Sequence, residues 1–177
     1  MKSEKGQSFI ELGISMVFLL VLLAGVMDLG RVIFTYIALR DAVQEGAAYA
    51  AYQPNNCGLA IKRIREHTSG AVDLSETNAD ITVTITYRTK TGTLIGQCNQ
   101  IRNGAGVLFT LETVSPGSLN NVCPGDVVDV VARYNNFVIA TPFIGAIVGG
   151  QTISFDTQVV DSIIVDPTPG AGSVCRP

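Results

Sequence analysis

The sequence predicts an α+β protein in which one long amino-terminal helix, its lower half membrane-spanning, packs on a small antiparallel sheet of about four strands. Three observations predict it. No proline occurs before Pro54, so helical spacing runs unbroken from the start of the chain. Gln53-Pro54-Asn55-Asn56-Cys57-Gly58 then stops the helix. Strict two-residue alternation begins at Ile81 and recurs in later segments.

The helix comes first. From Leu12 to Met27 there is no charged residue: LGISMVFLLVLLAGVM. A bilayer span needs about 17–25 residues, so this run reaches the length only by extending back over Glu11 towards Gln7. Beyond it, Val32, Tyr36, Leu39, Val43, Ala47 and Ala50 recur at spacings of three and four, an amphipathic face. Span and amphipathic part read as one helix of about 45 residues, roughly 65–70 Å long. Gly46, Ala47, Ala48, Ala50 and Ala51 supply small residues where another backbone approaches closely, a neighbouring subunit or the protein's own sheet.

After the break, Leu59–Thr68 reads as a short second helix with Lys62, Arg63, Arg65 and Glu66 in water. Asp73 to Asp80 is a polar loop. In the first strand Ile81, Val83, Ile85 and Tyr87 share the inner face and Thr82, Thr84 and Thr86 the outer. Leu108–Val114 is a weaker strand. Val127–Tyr134 sets Val128, Val130, Ala132 and Tyr134 opposite Asp129 and Arg133. Gln151–Ile164 points Ile153, Phe155, Thr157, Val159 and Ile163 inward. Between the last two strands, Thr141-Pro142-Phe143-Ile144-Gly145-Ala146-Ile147-Val148-Gly149-Gly150 is too short to cross a bilayer. It reads as a core-covering loop or helical turn, or as a surface resting on membrane or a neighbouring subunit.

Composition narrows the function. Of 177 residues 47% are hydrophobic and 15% charged, which excludes a disordered chain. A net charge of −3 argues against a nucleic-acid partner, whose footprint is a basic face. Cys57, Cys98, Cys123 and Cys175 all follow the span and fall in expected loops or the tail. An even count in an exported domain reads as two disulfides, with three connectivities open. Cys98 with Cys123, leaving Cys57 with Cys175, is favoured because the first two bracket the Leu108–Val114 strand. No C-x-x-C pair suggests zinc. His67, the one histidine, reads as a solvated helix residue, and the loop of Asp73, Glu76, Asn78 and Asp80 lacks the glycine and spacing of an EF-hand. Gly104-Ala105-Gly106 and Gly149-Gly150 match no phosphate-binding motif. The expectation is no catalytic site, no cofactor and no metal.

The amino terminus carries the functional signal. Lys2 and Lys5 before the span put the amino terminus inside and the chain after Asp28 outside the cytoplasmic membrane. A cleaved secretory signal fits poorly, because Leu22-Leu23-Ala24-Gly25-Val26-Met27-Asp28 is a weak cleavage site. A plain anchor would leave Glu11 marking the membrane edge. A buried carboxylate costs ~2.5–3.5 kcal/mol or more unless paired, so it is read as functional. Cleavage after Gly6 would give Gln7 an α-ammonium able to neutralise a nearby Glu11.

Gly6-Gln7-Ser8-Phe9-Ile10-Glu11 resembles the processing site of type IV prepilins. Asp28-Leu29-Gly30-Arg31 and the segment Ala38 to Ala50 resemble the TadE-like family of tight-adherence (Flp) pili, whose members read E-(apolar run)-D-x-G-R and then A-x-x-x-A-x-x-x-G-A-R-x-A. The resemblance covers roughly residues 6–51, with Ala48 where the family often has arginine. It implies a pilin-like fold and a minor pilin or pseudopilin, cut between Gly6 and Gln7 by a membrane prepilin peptidase. Glu11 would pair with an α-ammonium and set subunit register, with Asp28, Gly30 and Arg31 as further assembly candidates. The parts would be a leader at 1–6, a helix at 7–52 with its span at about 8–28, an extracytoplasmic domain at 53–165 and a tail at 166–177. The implied partners are other pilin subunits, the peptidase, the inner-membrane assembly platform and membrane lipid. The protein would pass from a single-pass membrane state to the pilus or cell surface. Two other readings stand beside it: an uncleaved, membrane-anchored binding domain, and the major subunit of a filament.

Overall fold

A computed structural model of the chain describes residues 6–66, 72–74, 78, 80–102, 108–114, 122–141, 145–146 and 149–164. The expected leader residues 1–5, His67, Glu76, Cys175 and the tail at 166–177 lie outside them.

Helix α1 (Gln7–Tyr52) is continuous over 46 residues, as its spacing predicts. A three-residue 3-10 turn at Pro54–Asn56 leads into α2 (Cys57–Glu66). The strands are β1 (Ile81–Arg88), β2 (Leu94–Arg102), β3 (Leu108–Val114), β4 (Val127–Val138) and β5 (Thr152–Ser162). They form one sheet in the order β3-β2-β1-β4-β5. β1 pairs antiparallel with β2 and β4, and β2 with β3. The arrangement is the expected α+β one, with β2 as an additional strand.

β2 has weak local signals, because Gly96, Gln97 and Asn99 all disfavour strands. Its neighbours on both sides make it one. Gly96 lies opposite Tyr87 and Cys98 opposite Ile85, which puts a glycine beside the large ring and a cysteine in the core. The turn into β2 closes through Gly92, whose φ of 87° is a left-handed conformation that suits glycine; its amide donates to the Thr89 carbonyl at 2.8 Å.

By internal contacts the chain divides into two compact units. One is Met1–Phe34 with Phe137–Ile153; the other is Thr35–Asn136 with Ser154–Pro177. The second unit holds the core. Leu39, Ala42, Val43, Ala47, Ala50 and Ala51 of α1 are fully buried and join Ile81, Val83, Ile85, Val128, Val130 and Ala132 of the sheet in one cluster. Tyr36, expected on this face, sits at its margin with its ring edge-on to Phe155 at 6.3 Å. Phe155 in turn stacks on Tyr134 at 5.6 Å.

α2 closes the core over Gly46. A Cβ at that position would lie 2.2 Å from Ile64 Cγ1, so the close approach depends on glycine. Ala60, Ile61 and Ile64 face inward. Arg65, expected in water, is buried instead. Its guanidinium donates to Gln100 Oε1 at 2.7 Å, to the carbonyls of Leu74 and Asn78 at 3.4 and 3.2 Å, and to the Ile81 carbonyl. One arginine thus satisfies backbone acceptors of the connection into β1 while holding β2, and this consumes the donors that solvent would otherwise take.

The cysteine pairing differs from the expected one. Cys57 is joined to Cys98, with the two Cα atoms 6.4 Å apart. Neither cysteine is in a loop: Cys57 opens α2 and Cys98 sits within β2, both fully buried. The favoured Cys98–Cys123 pairing assumed a loop at Cys98. Because that residue is on an inward-facing strand position, the helix packed across the sheet, not the later loop, presents the nearest sulfur. Cys123 is also disulfide-bonded.

Candidate functional site

The processing and assembly candidates that the sequence singles out lie along the first unit. Gly6 immediately precedes α1 and is exposed, with open space where a side chain would stand. Gln7 is the first residue of the helix. Glu11 follows one turn later, exposed, with no hydrogen bond or ion pair among the described residues.

Between Glu11 and Asp28 the helix presents apolar side chains to its surroundings all the way round. An 18-residue window has a mean hydropathy of 2.5 and none of it is buried. Among the described residues α1 is the one helix long and apolar enough to cross a membrane. A helix apolar on every side is suited to lipid or to the interior of an assembly and not to water. It is a candidate membrane anchor.

Asp28 ends that stretch and changes the environment. It is 6% exposed. Its carboxylate accepts from the backbone N–H of Ala140 at 3.3 Å and of Thr141 at 2.8 Å, and from the Thr141 hydroxyl as well. Arg31, three residues on, pairs with the same carboxylate at 3.7 Å while remaining largely exposed. Its guanidinium lies 5.7 Å from the centre of the Phe137 ring. An ionised carboxylate offers acceptors only, and here N–H, O–H and guanidinium donors converge on it. The ion pair with Arg31 joins residues one helical turn apart. The clasp on Ala140 and Thr141 was not legible, because the partners are separated by 113 residues and no local pattern links them. Gly30 has nothing within reach of a would-be Cβ.

These features fall in the stretch that has a counterpart among known proteins. Residues 6–48 match the model of the family described as TadE-like protein. The amino-terminal segment is TadE-like. The match begins at Gly6 and takes in Glu11, the apolar run, Asp28-Leu29-Gly30-Arg31 and most of the small-residue face of α1. The TadE-like segment supports a pilus-associated protein of the tight-adherence system, one that associates with other pilus proteins. No curated protein and no solved structure matches the chain.

Among the described residues no group of three or more His, Cys, Asp or Glu side chains could hold a metal ion. In the loop considered for calcium, Asp80 is engaged within the fold: Asn136 donates to its carboxylate at 2.9 Å and Asn135 to its carbonyl. Asp126, a buried carboxylate outside the TadE-like segment, accepts from the amides of Lys90 and Cys123 and shapes the entry to β4.

Proposed function

We propose that the protein is a structural subunit, a minor pilin or pseudopilin, of a tight-adherence pilus. It is inserted with its amino terminus inside the cytoplasmic membrane and its β domain outside. A prepilin peptidase cuts it between Gly6 and Gln7, and the helix then moves from lipid into a filament or its initiating complex. The role is structural and not catalytic. Its partners are other pilin subunits, the peptidase and the inner-membrane assembly platform.

The observation that carries this reading is the TadE-like match starting at Gly6, followed by an exposed apolar helix that holds Glu11. Chemistry supports it. An unpaired carboxylate on a hydrocarbon-facing helix is costly, and scission after Gly6 creates a cation one helical turn away on Gln7. The same pairing is available between neighbouring chains shifted along their axes. A glycine before the scissile bond leaves the backbone accessible, in keeping with the open space around Gly6.

Amino-terminal sequencing of the native protein tests the reading. In cells with the peptidase the mature chain is expected to begin at Gln7, and in cells lacking it at Met1. A mature chain beginning at Met1 in both would favour a permanently anchored domain.

A further inference from the structure

Between Gly6 and Phe34 the charged residues of α1 are Glu11, Asp28 and Arg31. Asp28 is buried, whereas Glu11 is exposed and the Arg31 side chain is 57% exposed. Glu11 and Arg31 lie twenty positions apart on one continuous helix. At about 1.5 Å and 100° per residue they are about 30 Å apart along the axis and about 200° apart around it. Carboxylate and guanidinium therefore stand on nearly opposite sides of α1. Asp28 does not use up the guanidinium. The Asp28 carboxylate is already held by the amides of Ala140 and Thr141 and by the Thr141 hydroxyl, and Arg31 reaches it only at 3.7 Å. A guanidinium carries five N–H donors, so one arginine can serve two carboxylates.

Opposite signs on opposite sides make this helix complementary to itself. A second copy, parallel and shifted by about 30 Å, sets its Glu11 beside Arg31 of the first. Its own Arg31 then stands on the far side, where a third copy can meet it. A heterologous contact of this kind that does not close into a ring runs on as an open helical filament. Two copies at the same depth in a bilayer cannot make it. The shift is about the thickness of the hydrocarbon core, ~30 Å, so level neighbours hold their Glu11 and Arg31 near opposite leaflets. The pair forms only between chains of which one has moved outward.

We propose that α1 binds a second copy of this chain through an intermolecular Glu11–Arg31 ion pair, with the two helices parallel and staggered by twenty residues. Glu11 then accepts from its own Gln7 α-ammonium and from Arg31 of the neighbouring copy. With Asp28 the four charges sum to zero. The apolar surface of α1 beside Glu11 keeps water away, so the attraction is screened less than in solution. The inference rests on the proposed processing and assembly, and adds to them the partner and register of Glu11.

Ile14 and Phe34 stand one turn beyond Glu11 and Arg31 and are 68% and 69% exposed. Among the described residues no cysteine is free, so thiols introduced at these two places are the reactive ones. Cells making the full chain with Ile14→Cys and Phe34→Cys are treated with a short bismaleimide, and membranes and sheared fibres are compared. The proposal expects dimers and higher multimers of the double variant in the fibres, at least about tenfold more than either single variant gives. Adding Arg31→Gln is expected to lower that linkage about fivefold or more, whereas Arg31→Lys, which keeps the charge, leaves it within about twofold. Three results overturn the inference. They are no multimers from the double variant, as many dimers from a single variant, or linkage that Arg31→Gln leaves unchanged. Amino-terminal sequencing of the same samples separates the two readings. Chains beginning at Gln7 but lacking the linkage overturn the stagger alone, while chains still beginning at Met1 overturn the processing on which it rests.

Discussion

Asp28, Gly46 and Arg65 each join parts of the fold that are distant in sequence, by three different physical routes. Asp28 gathers donors from a distant turn and keeps them satisfied at the end of the apolar stretch of α1. Arg65 does the reverse: buried on α2, it donates to the backbone carbonyls of Leu74 and Asn78 ahead of β1 and of Ile81 at its start. Gly46 acts by having no side chain, so that Ile64 can occupy the space. The last case gives a sharp test. Gly46→Ala puts a methyl 2.2 Å from Ile64 Cγ1, so either Ile64 leaves its rotamer or α2 lifts. The expected cost is about 1–3 kcal/mol, read as a lowered urea midpoint of the chain in detergent micelles. Adding Ile64→Ala removes the clash, so the double variant should lose clearly less than the sum of the two single losses. Strict additivity would mean that the two residues do not compete for the same space.

At the scale of elements, what could be read in advance follows from how local its cause is. The helix α1 was legible to both ends because an apolar run, an amphipathic face and the Pro54 stop are all written in neighbouring residues. β1 and β4 were legible from two-residue alternation, and their register places the expected inner residues together, Val83 against Ala132 and Ile85 against Val130. β2 was not, since its polar and glycine residues become a strand only through pairing with β1 and β3. That omission also misled the cysteine pairing and hid Gln100, the side-chain acceptor for Arg65. The Cys57–Cys98 bridge closes a separation of 41 residues. On the chain-entropy account a loop of that size contributes about 4 kcal/mol. The paired Cys57→Ser, Cys98→Ser variant is thus expected to lose roughly 2–4 kcal/mol in chemical denaturation. Non-reducing peptide mapping of the intact protein should yield the Cys57 and Cys98 peptides joined to each other; a Cys98–Cys123 linked peptide would contradict the β2 register.

For the whole molecule, the division into two units separates two demands. The unit with Thr35–Asn136 buries an ordinary apolar core between helix and sheet and is stable in water by the usual means. The unit with Met1–Phe34 leaves its apolar surface open, which is affordable only where lipid or neighbouring helices replace water. The TadE-like match falls on this open helix and its continuation, while the sheet lies beyond it. Recognition of a pilus-associated chain was therefore available from the first quarter of the sequence, where spacing alone carries chemistry. The Asp28 clasp was not, because it joins that quarter to a turn near the other end of the chain. The account turns on Glu11: in the proposed function its carboxylate, exposed on an apolar helix, meets its cation only after processing. The most direct measurement is the share of Glu11→Ala protein recovered in sheared surface fibres, against the share left in the membrane. The account predicts normal cleavage after Gly6 but a fall of about tenfold or more in the fibre fraction, since the lost charge pairing is worth more than the ~1.4 kcal/mol that a tenfold ratio requires. Fibres that take up the variant as readily as the unaltered chain would contradict it.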